Sequence, residues 1–424
     1  MSLQYLYQIQ GISLKRTLEI NDYSPVYIKN NEWKYHYVIT KILNKRRYTT
    51  LPNGWIKLNI EHFRQVLGSS SDKKGSFRFI DRIRKDLKQW GLIKTKYTTI
   101  TAADGSKIKL VFAKVLDEYT ARGWRKWTPN KHIKMKPMTT QKLSGIYAKL
   151  QRSLSLLAID YKGALAFALN AKQTGMVLPP KMTDWKPKKY RVVDEAVYSS
   201  WLMAIDLLKL GVYTLRVEFK DSGRVYTAIS NFPRLLRQYL SLNGKRLIGL
   251  DCANSQPLLF AAYLKLHYQL TDDMVKYIQL CERGELYEYV TKLLTDNGCT
   301  VPASRKEFKV EFFAKLFYSK EKRNHRWRTV FATEFPNVAA AISKAKKVGK
   351  NGGTPSLLTA QLSLIESEIM IKGVARRLYD AGISEFVTLH DCILTTEEYT
   401  DVVYNLIAEE YQKYGVNPTI KIEN

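Results

Sequence analysis

Two aspartates stand where an apolar strand would deliver a carboxylate to the edge of a sheet. Leu247-Ile248-Gly249-Leu250 runs into Asp251, and Phe386-Val387-Thr388-Leu389 runs into His390-Asp391. Unpaired acids at the ends of buried strands are costly unless something positive is held beside them. Two such carboxylates on neighbouring strands can hold a pair of magnesium ions about 4 Å apart, which clamp the attacking and leaving oxygens of phosphoryl transfer. The plainer reading is that each acid caps a helix or meets an arginine. Between them lies SRKEFKVEFFAKLFYSKEKR, in which Arg305, Lys309, Phe313 and Phe317 recur every four residues and so share a helical face. Two cations followed by two aromatics could grip a triphosphate and pack on a base. A basic amphipathic helix with core aromatics is the alternative. The four cysteines, Cys252, Cys281, Cys299 and Cys392, lack CxxC spacing, which speaks for reduced, partly buried thiols rather than a zinc site or a disulfide scaffold.

The elements around these residues read as α+β. Strand-like YTLRVEFK, RLIGLDC and EFVTLHDCIL alternate with long helices after residue 213. Residues 35 to 115 read as a winged helix: a helix (HYVITKILNK), a short strand (GWIKLN), a second helix (IEHFRQVLG) and a polar turn (SSSDKKG). A basic helix follows with Ile80, Ile83, Leu87 and Trp90 as its apolar stripe and Gly91 as its stop. KTKYTTI and KIKLVFAKV around AADGS make the wing hairpin. Arg78, Arg82, Arg84, Lys85 and Lys88 are the candidate DNA-binding residues of that module, with protein docking as the alternative. Residues 116 to 140 form a basic, aromatic linker. Helical patterns over 140 to 210 include Leu143, Ile146, Tyr147, Leu150 and Leu154, broken near Pro179 and Pro180.

Charge narrows the partners. Sixty-eight Lys and Arg against thirty-nine Asp and Glu give a net charge of +29, spread over all 424 residues. That suits a protein neutralising many phosphates. No basic amphipathic anchor, signal peptide or apolar run long enough to span a bilayer is present, so a membrane role is not expected and a cytoplasmic one is.

The order of the blocks is more specific than any one of them. From about 215 to 400 the chain resembles the family-A DNA polymerases and, more distantly, the single-subunit phage RNA polymerases. SGRVYTAISNFPRLLR resembles the family's TGR…N.P…R segment. LDCANSQPLLFAAYL is similar to motif A, usually D-Y-S-Q-I-E-L-R, and IQLCERGELYEYV to the G-[DE]-x-[HY] helix start that follows. Arg305-x3-Lys309-x7-Phe317 fits motif B, Phe335-Pro336 and Gln361 stand where the family has F-P and a template-contacting Gln, and TLHDCIL fits motif C.

The resemblance implies specific roles. Asp251 and Asp391 would bind two Mg2+ ions, with Mn2+ as an alternative. Arg305 and Lys309 would contact the triphosphate, Lys309 also giving a proton to the leaving pyrophosphate. Phe313, Phe317 and Gln256 would line the nucleotide. Arg224, Asn231, Arg237, Gln361 and His390 would meet primer-template. Three positions depart from the family: Gln256 replaces the Glu that excludes a ribose 2′-hydroxyl, Phe317-Tyr318 replaces Tyr-Gly, and Cys392 replaces a frequent third acid. The sugar preference is therefore open. No proofreading constellation is visible before residue 190.

The expected architecture is an N-terminal winged-helix DNA-binding domain (1–120), a basic linker and helical thumb-like region (121–210), and a right-hand polymerase palm and fingers (211–424). The expected function is template-directed DNA synthesis for a phage or plasmid in the bacterial host cytoplasm, on a DNA template and primer with nucleoside triphosphates, beside other replication proteins. Its rivals are a primase or RNA polymerase on the same palm, a non-catalytic replication initiator that binds DNA, and a metal-dependent nuclease using the same acids.

Overall fold

Helices and strands are mixed throughout the chain, whose computed structural model describes residues 2–3, 6–46, 55–72, 75–101, 107–128, 133–134, 143–178, 191–209, 211, 215–218, 223–318, 326–347 and 355–423. Two units divide it. One takes Met1–Lys142 and Leu165–Ile205, the other Leu143–Ala164 and Asp206–Asn424, so the stretch 121–210 is shared between them. The AADGS turn at 102–106, Pro179 and Pro180, and parts of the 116–140 linker lie outside the described residues.

In the first unit, the helix Pro25–Arg46 is followed by the strand Ile56–Leu58, the helices Ile60–Leu67 and Phe79–Gln89, and the strands Ile93–Thr101 and Lys107–Val115. The three strands form one antiparallel sheet with 107–115 in the middle. Ile80, Ile83 and Leu87 are fully buried, as a three-four spacing on one helix face requires. Trp90 stacks on Tyr35 with ring centroids 5.5 Å apart. The helix stops before Gly91, whose φ of 72° a side chain would resist. Buried Asp86 accepts hydrogen bonds from the hydroxyls of Tyr23 (2.7 Å) and Tyr35 (2.5 Å), which satisfies a charge that the core could not otherwise hold.

The polar segment 69–75 is not a bare turn: Ser69–Asp72 pairs with Gly75–Arg78 as a short hairpin. Extended pairing runs through Arg78, so the helix begins at Phe79 and Arg78 is its cap, outside the helical face.

The second unit holds a four-stranded antiparallel sheet in the order Phe386–Leu389, Cys392–Thr395, Ile248–Cys252, Ile420–Glu423. Every residue of the first two strands is buried, the pattern of strands covered on both faces. Leu250, Phe386 and Ile393 share a core with Leu258 and Phe260 of the helix Ser255–His267, Val374, and Ile407 and Tyr411 of the helix Thr400–Gln412. A separate hairpin pairs Leu215–Val217 with Val225–Thr227. Among the described residues, no helix is long and apolar enough to cross a membrane.

Candidate active site

Asp251 lies inside its strand, opposite Cys392 on one side and Lys421 on the other. Asp391 occupies the two-residue connection between strands 386–389 and 392–395, and its backbone oxygen accepts from the Cys252 amide at 3.4 Å. Antiparallel pairing therefore brings the two acids side by side. A two-residue hairpin turn calls for a positive φ at its first central residue, and His390 supplies it at 59°. Four non-glycine residues have positive φ among the described residues, and two of them flank the acids: His390 and Asn254, at 52°. Such conformations cost on the order of 1–2 kcal/mol each and persist where surrounding structure enforces them.

The electrostatics are those of a site short of cations. Burial pushes the Asp251 carboxyl up to about 6; Asp391 and Glu423 push the same way, while Lys309 and Arg234 oppose them. Burial lowers the pKa of His390, and Arg224 adds to the effect, so the imidazole is neutral near pH 7. Its Nδ1 is buried without a hydrogen-bond partner among the described residues, and its ring meets Tyr226 edge-on at 5.5 Å. All four cysteines are buried and free, including Cys252 and Cys392 beside the acids.

A second cluster adjoins the first. Arg224 donates from Nε (3.1 Å) and Nη2 (2.8 Å) to Glu366, a forked pair in which the carboxylate is almost wholly buried. Burial raises the Glu366 pKa, Arg224 opposes the rise and Asp391 adds to it. Gln256 donates its amide to the same carboxylate at 3.4 Å and accepts from the Tyr318 hydroxyl at 3.0 Å. Arg224 is thus engaged within the protein. Sequence reasoning missed Glu366 and noted Tyr318 only as a departure from the family's Tyr-Gly. The signal for Glu366 was an acid inside the largely apolar run LLTAQLSLIESEIM, which carries Glu366 and Glu368.

The Arg305 helix departs from the expected single face. It is α-helical over Arg305–Phe312, then winds as a π-helix over Phe313–Phe317. The Tyr318 amide bonds the Phe313 carbonyl, five residues back, at 2.7 Å. One wider turn advances the register by one residue, so Tyr318 follows Phe313, their rings stacked at 5.5 Å. Phe317 is fully buried among Phe260, Phe312 and Phe313, and Phe313 is buried too. These two expected nucleotide contacts are buried in the apolar core, the alternative that the sequence left open for the stripe. Arg305 and Lys309 are exposed. Arg305 is ion-paired with Glu288 and donates to Asn254 at 3.5 Å, while Lys309 lies 5.8 Å from the Tyr287 ring.

The remaining candidates scatter. Asn231 is exposed in the turn after the 225–227 strand. Arg237 is partly buried beside Cys392, and burial lowers its pKa. Gln361 keeps a buried amide oxygen with no partner among the described residues. In the other unit, Lys85 and Lys88 are exposed, whereas Arg82 lies 3.4 Å from the Phe77 ring and Arg84 pairs with Asp81 at 3.2 Å.

Among the described residues, no group of three or more His, Cys, Asp or Glu is placed to hold a metal. Two carboxylates still fit magnesium, which commonly takes one or two protein carboxylates and completes its shell with water and substrate phosphates. The mutual repulsion of Asp251 and Asp391 is the local observation that a cation would relieve.

No family model matches the chain. No curated protein matches it either. Among solved structures it is similar to the POL domain of Pol1 from M. smegmatis, solved in complex with DNA primer-template and dNTP. The identity is 13%, the TM-score 0.40, and the match covers 66% of this chain and 65% of that one.

Proposed function

We propose that this chain is a template-directed nucleic-acid polymerase, a nucleotidyltransferase that extends a 3′-hydroxyl on a DNA template, with its catalytic palm in the second unit. The observation that carries this reading is the juxtaposition of Asp251, inside its strand, with Asp391, in the turn that leads into the adjacent strand of one antiparallel sheet, with Lys309 in the field of Asp251. The ordered motif resemblance between 215 and 400 supports it.

Each residue then has a task. Asp251 and Asp391 would hold magnesium, which when bound lowers the barrier by neutralising charge on the attacking and leaving oxygens. Arg305, freed from Glu288, and Lys309 bind the triphosphate, and the Lys309 ammonium gives its proton to the leaving pyrophosphate. Neutral His390 and the Arg224–Glu366–Gln256–Tyr318 network position the primer end and the sugar. The helix Phe79–Gln89 and its hairpin form a winged-helix module that recruits DNA.

Extension of a labelled primer-template with magnesium, dNTPs and NTPs being supplied separately, tests this with wild type and Asp391→Ala. The expected result is template-dependent extension that vanishes in the variant; use of NTPs would make the chain a primase or RNA polymerase. No extension from primed or unprimed template, with tight DNA binding kept, would overturn it in favour of a replication initiator. Template degradation without nucleotides, lost in the variant, would make it a nuclease.

A further inference from the structure

The outer face of the three-stranded sheet in the first unit has a composition that core packing does not explain. The strands 56–58, 93–101 and 107–115 contain no acidic residue, and four of their lysines (Lys57, Lys94, Lys96 and Lys114) stand on this face. One face is spent on the core: Ile56, Leu58, Ile93, Val111, Ala113 and Val115 are buried. The pairing Lys57–Phe112–Lys96 across three strands, and Lys94 against Lys114, therefore sets out the opposite face. Trp55, one residue before the first strand, joins it. Phe112 and Trp55 are half-buried, and Lys57, Lys94 and Lys96 are exposed.

The cations and rings are interleaved. The Lys96 ammonium lies 4.6 Å from the Trp55 ring centroid and 5.6 Å from that of Phe112, so one cation reaches both rings. Lys114 lies 6.0 Å from Trp55 and is the member of this face paired with an acid, Asp117 at 2.9 Å. Half-buried rings interleaved with the exposed Lys57, Lys94 and Lys96 suit a strand whose bases are free to stack and whose phosphates need neutralising. A duplex hides its base faces and would use only the charge.

We propose that this face, built on Trp55 and Phe112 with Lys57, Lys94 and Lys96, binds single-stranded DNA by base stacking. The face belongs to the first unit and the two acids to the second, and its binding does not depend on catalysis. Its test uses the full chain and labelled oligo(dT), oligo(U) and a duplex, read by fluorescence anisotropy. Trp55→Leu and Phe112→Leu keep apolar bulk but remove the larger stacking surface, and each should weaken oligo(dT) binding about tenfold. Trp55→Phe should recover most of it, and duplex affinity should stay within about twofold. Lys96→Gln, a surface change that leaves the core intact, should reduce the salt slope for oligo(dT) by about 0.7. Light-induced cross-linking of 5-iodouracil oligonucleotide should map to the peptides containing Trp55 or Phe112. Unchanged oligo(dT) affinity in Trp55→Leu and Lys96→Gln, cross-links confined to other peptides, or equal losses for duplex would each overturn the proposal, as would tighter binding of oligo(U). Loss of primer extension in Asp391→Ala, or failure to detect extension at all, leaves it standing.

Discussion

At the scale of single residues, the acids of the site are held at a cost to the fold, and pH exposes it. The Asp251 carboxyl has its pKa raised from 3.8 to about 6, chiefly by burial and next by Asp391. A carboxyl with a higher pKa in the folded state binds its proton more tightly there, so protonation favours folding. That contribution is complete below about pH 4 and is lost as pH rises through about 6. Asp251→Asn mimics the protonated group. It should therefore melt higher than wild type at pH 8, by about 1–2 kcal/mol after discounting for the group's partial exposure. The gap should close below about pH 4, and template-directed extension should be lost throughout. Melting curves between pH 4 and 8 check the sign; equal stability at pH 8 would mean the acid pair is not strained. The Arg224–Glu366 pair gives the opposite expectation. Glu366→Ala takes the forked carboxylate away from a largely buried guanidinium and should cost about 3 kcal/mol in urea denaturation. Adding Arg224→Ala should recover part of that loss, so the double variant should be more stable than the sum of the singles predicts.

At the scale of elements, one turn of π-helix separates the residues that pack from those that reach the site. Phe317→Ala removes a fully buried ring and should destabilise by about 3–5 kcal/mol. Tyr318→Phe keeps the ring and loses the hydroxyl that donates to Gln256, so stability should change by about 1 kcal/mol. If the network positions the sugar, Tyr318→Phe should instead raise the nucleotide KM and alter the ratio of dNTP to NTP use. Steady-state extension with each nucleotide class reads this, and unchanged ratios would remove Tyr318 from the site. The same turn marks the limit of what the sequence discloses. The two acids were legible because each follows a run of apolar residues, and the stripe Ile80, Ile83, Leu87 because α-helical spacing is regular. The full burial of Phe317 was one of two readings the stripe left open, because spacing by four assumes an unbroken α-helix and a π turn leaves no periodic trace. Glu366 was passed over because its importance comes from Arg224, 142 residues earlier. The Ile420–Glu423 strand, which pairs with the Asp251 strand, was equally hidden: four residues near the chain end are too short to read as periodic.

At the scale of the whole molecule, the excess of positive charge has two readings with different consequences. It could serve only to keep the protein dispersed, or it could be matched to phosphates. Many cations are already engaged internally: Arg377 bridges Glu409 and Glu410, Lys276 meets Glu334, and Arg234 meets Glu423. With 68 basic residues against 39 acidic ones, such pairing still leaves +29. If that excess merely aids solubility, primer-template would be held by the few contacts of the catalytic site, and salt would weaken binding gently. If it tracks a phosphate backbone through 6–10 contacts, affinity should fall by on the order of 10³–10⁵ between 50 and 200 mM salt. Titration of labelled primer-template by anisotropy at several salt concentrations distinguishes the two. Asp391→Ala is the informative partner in that experiment. It removes one negative charge from a site already crowded with them, so its DNA affinity at low salt should equal or exceed wild type while extension disappears. A variant that lost binding and extension together would mean that Asp391 serves the fold or the DNA contact, and that the acid pair does not carry the chemistry.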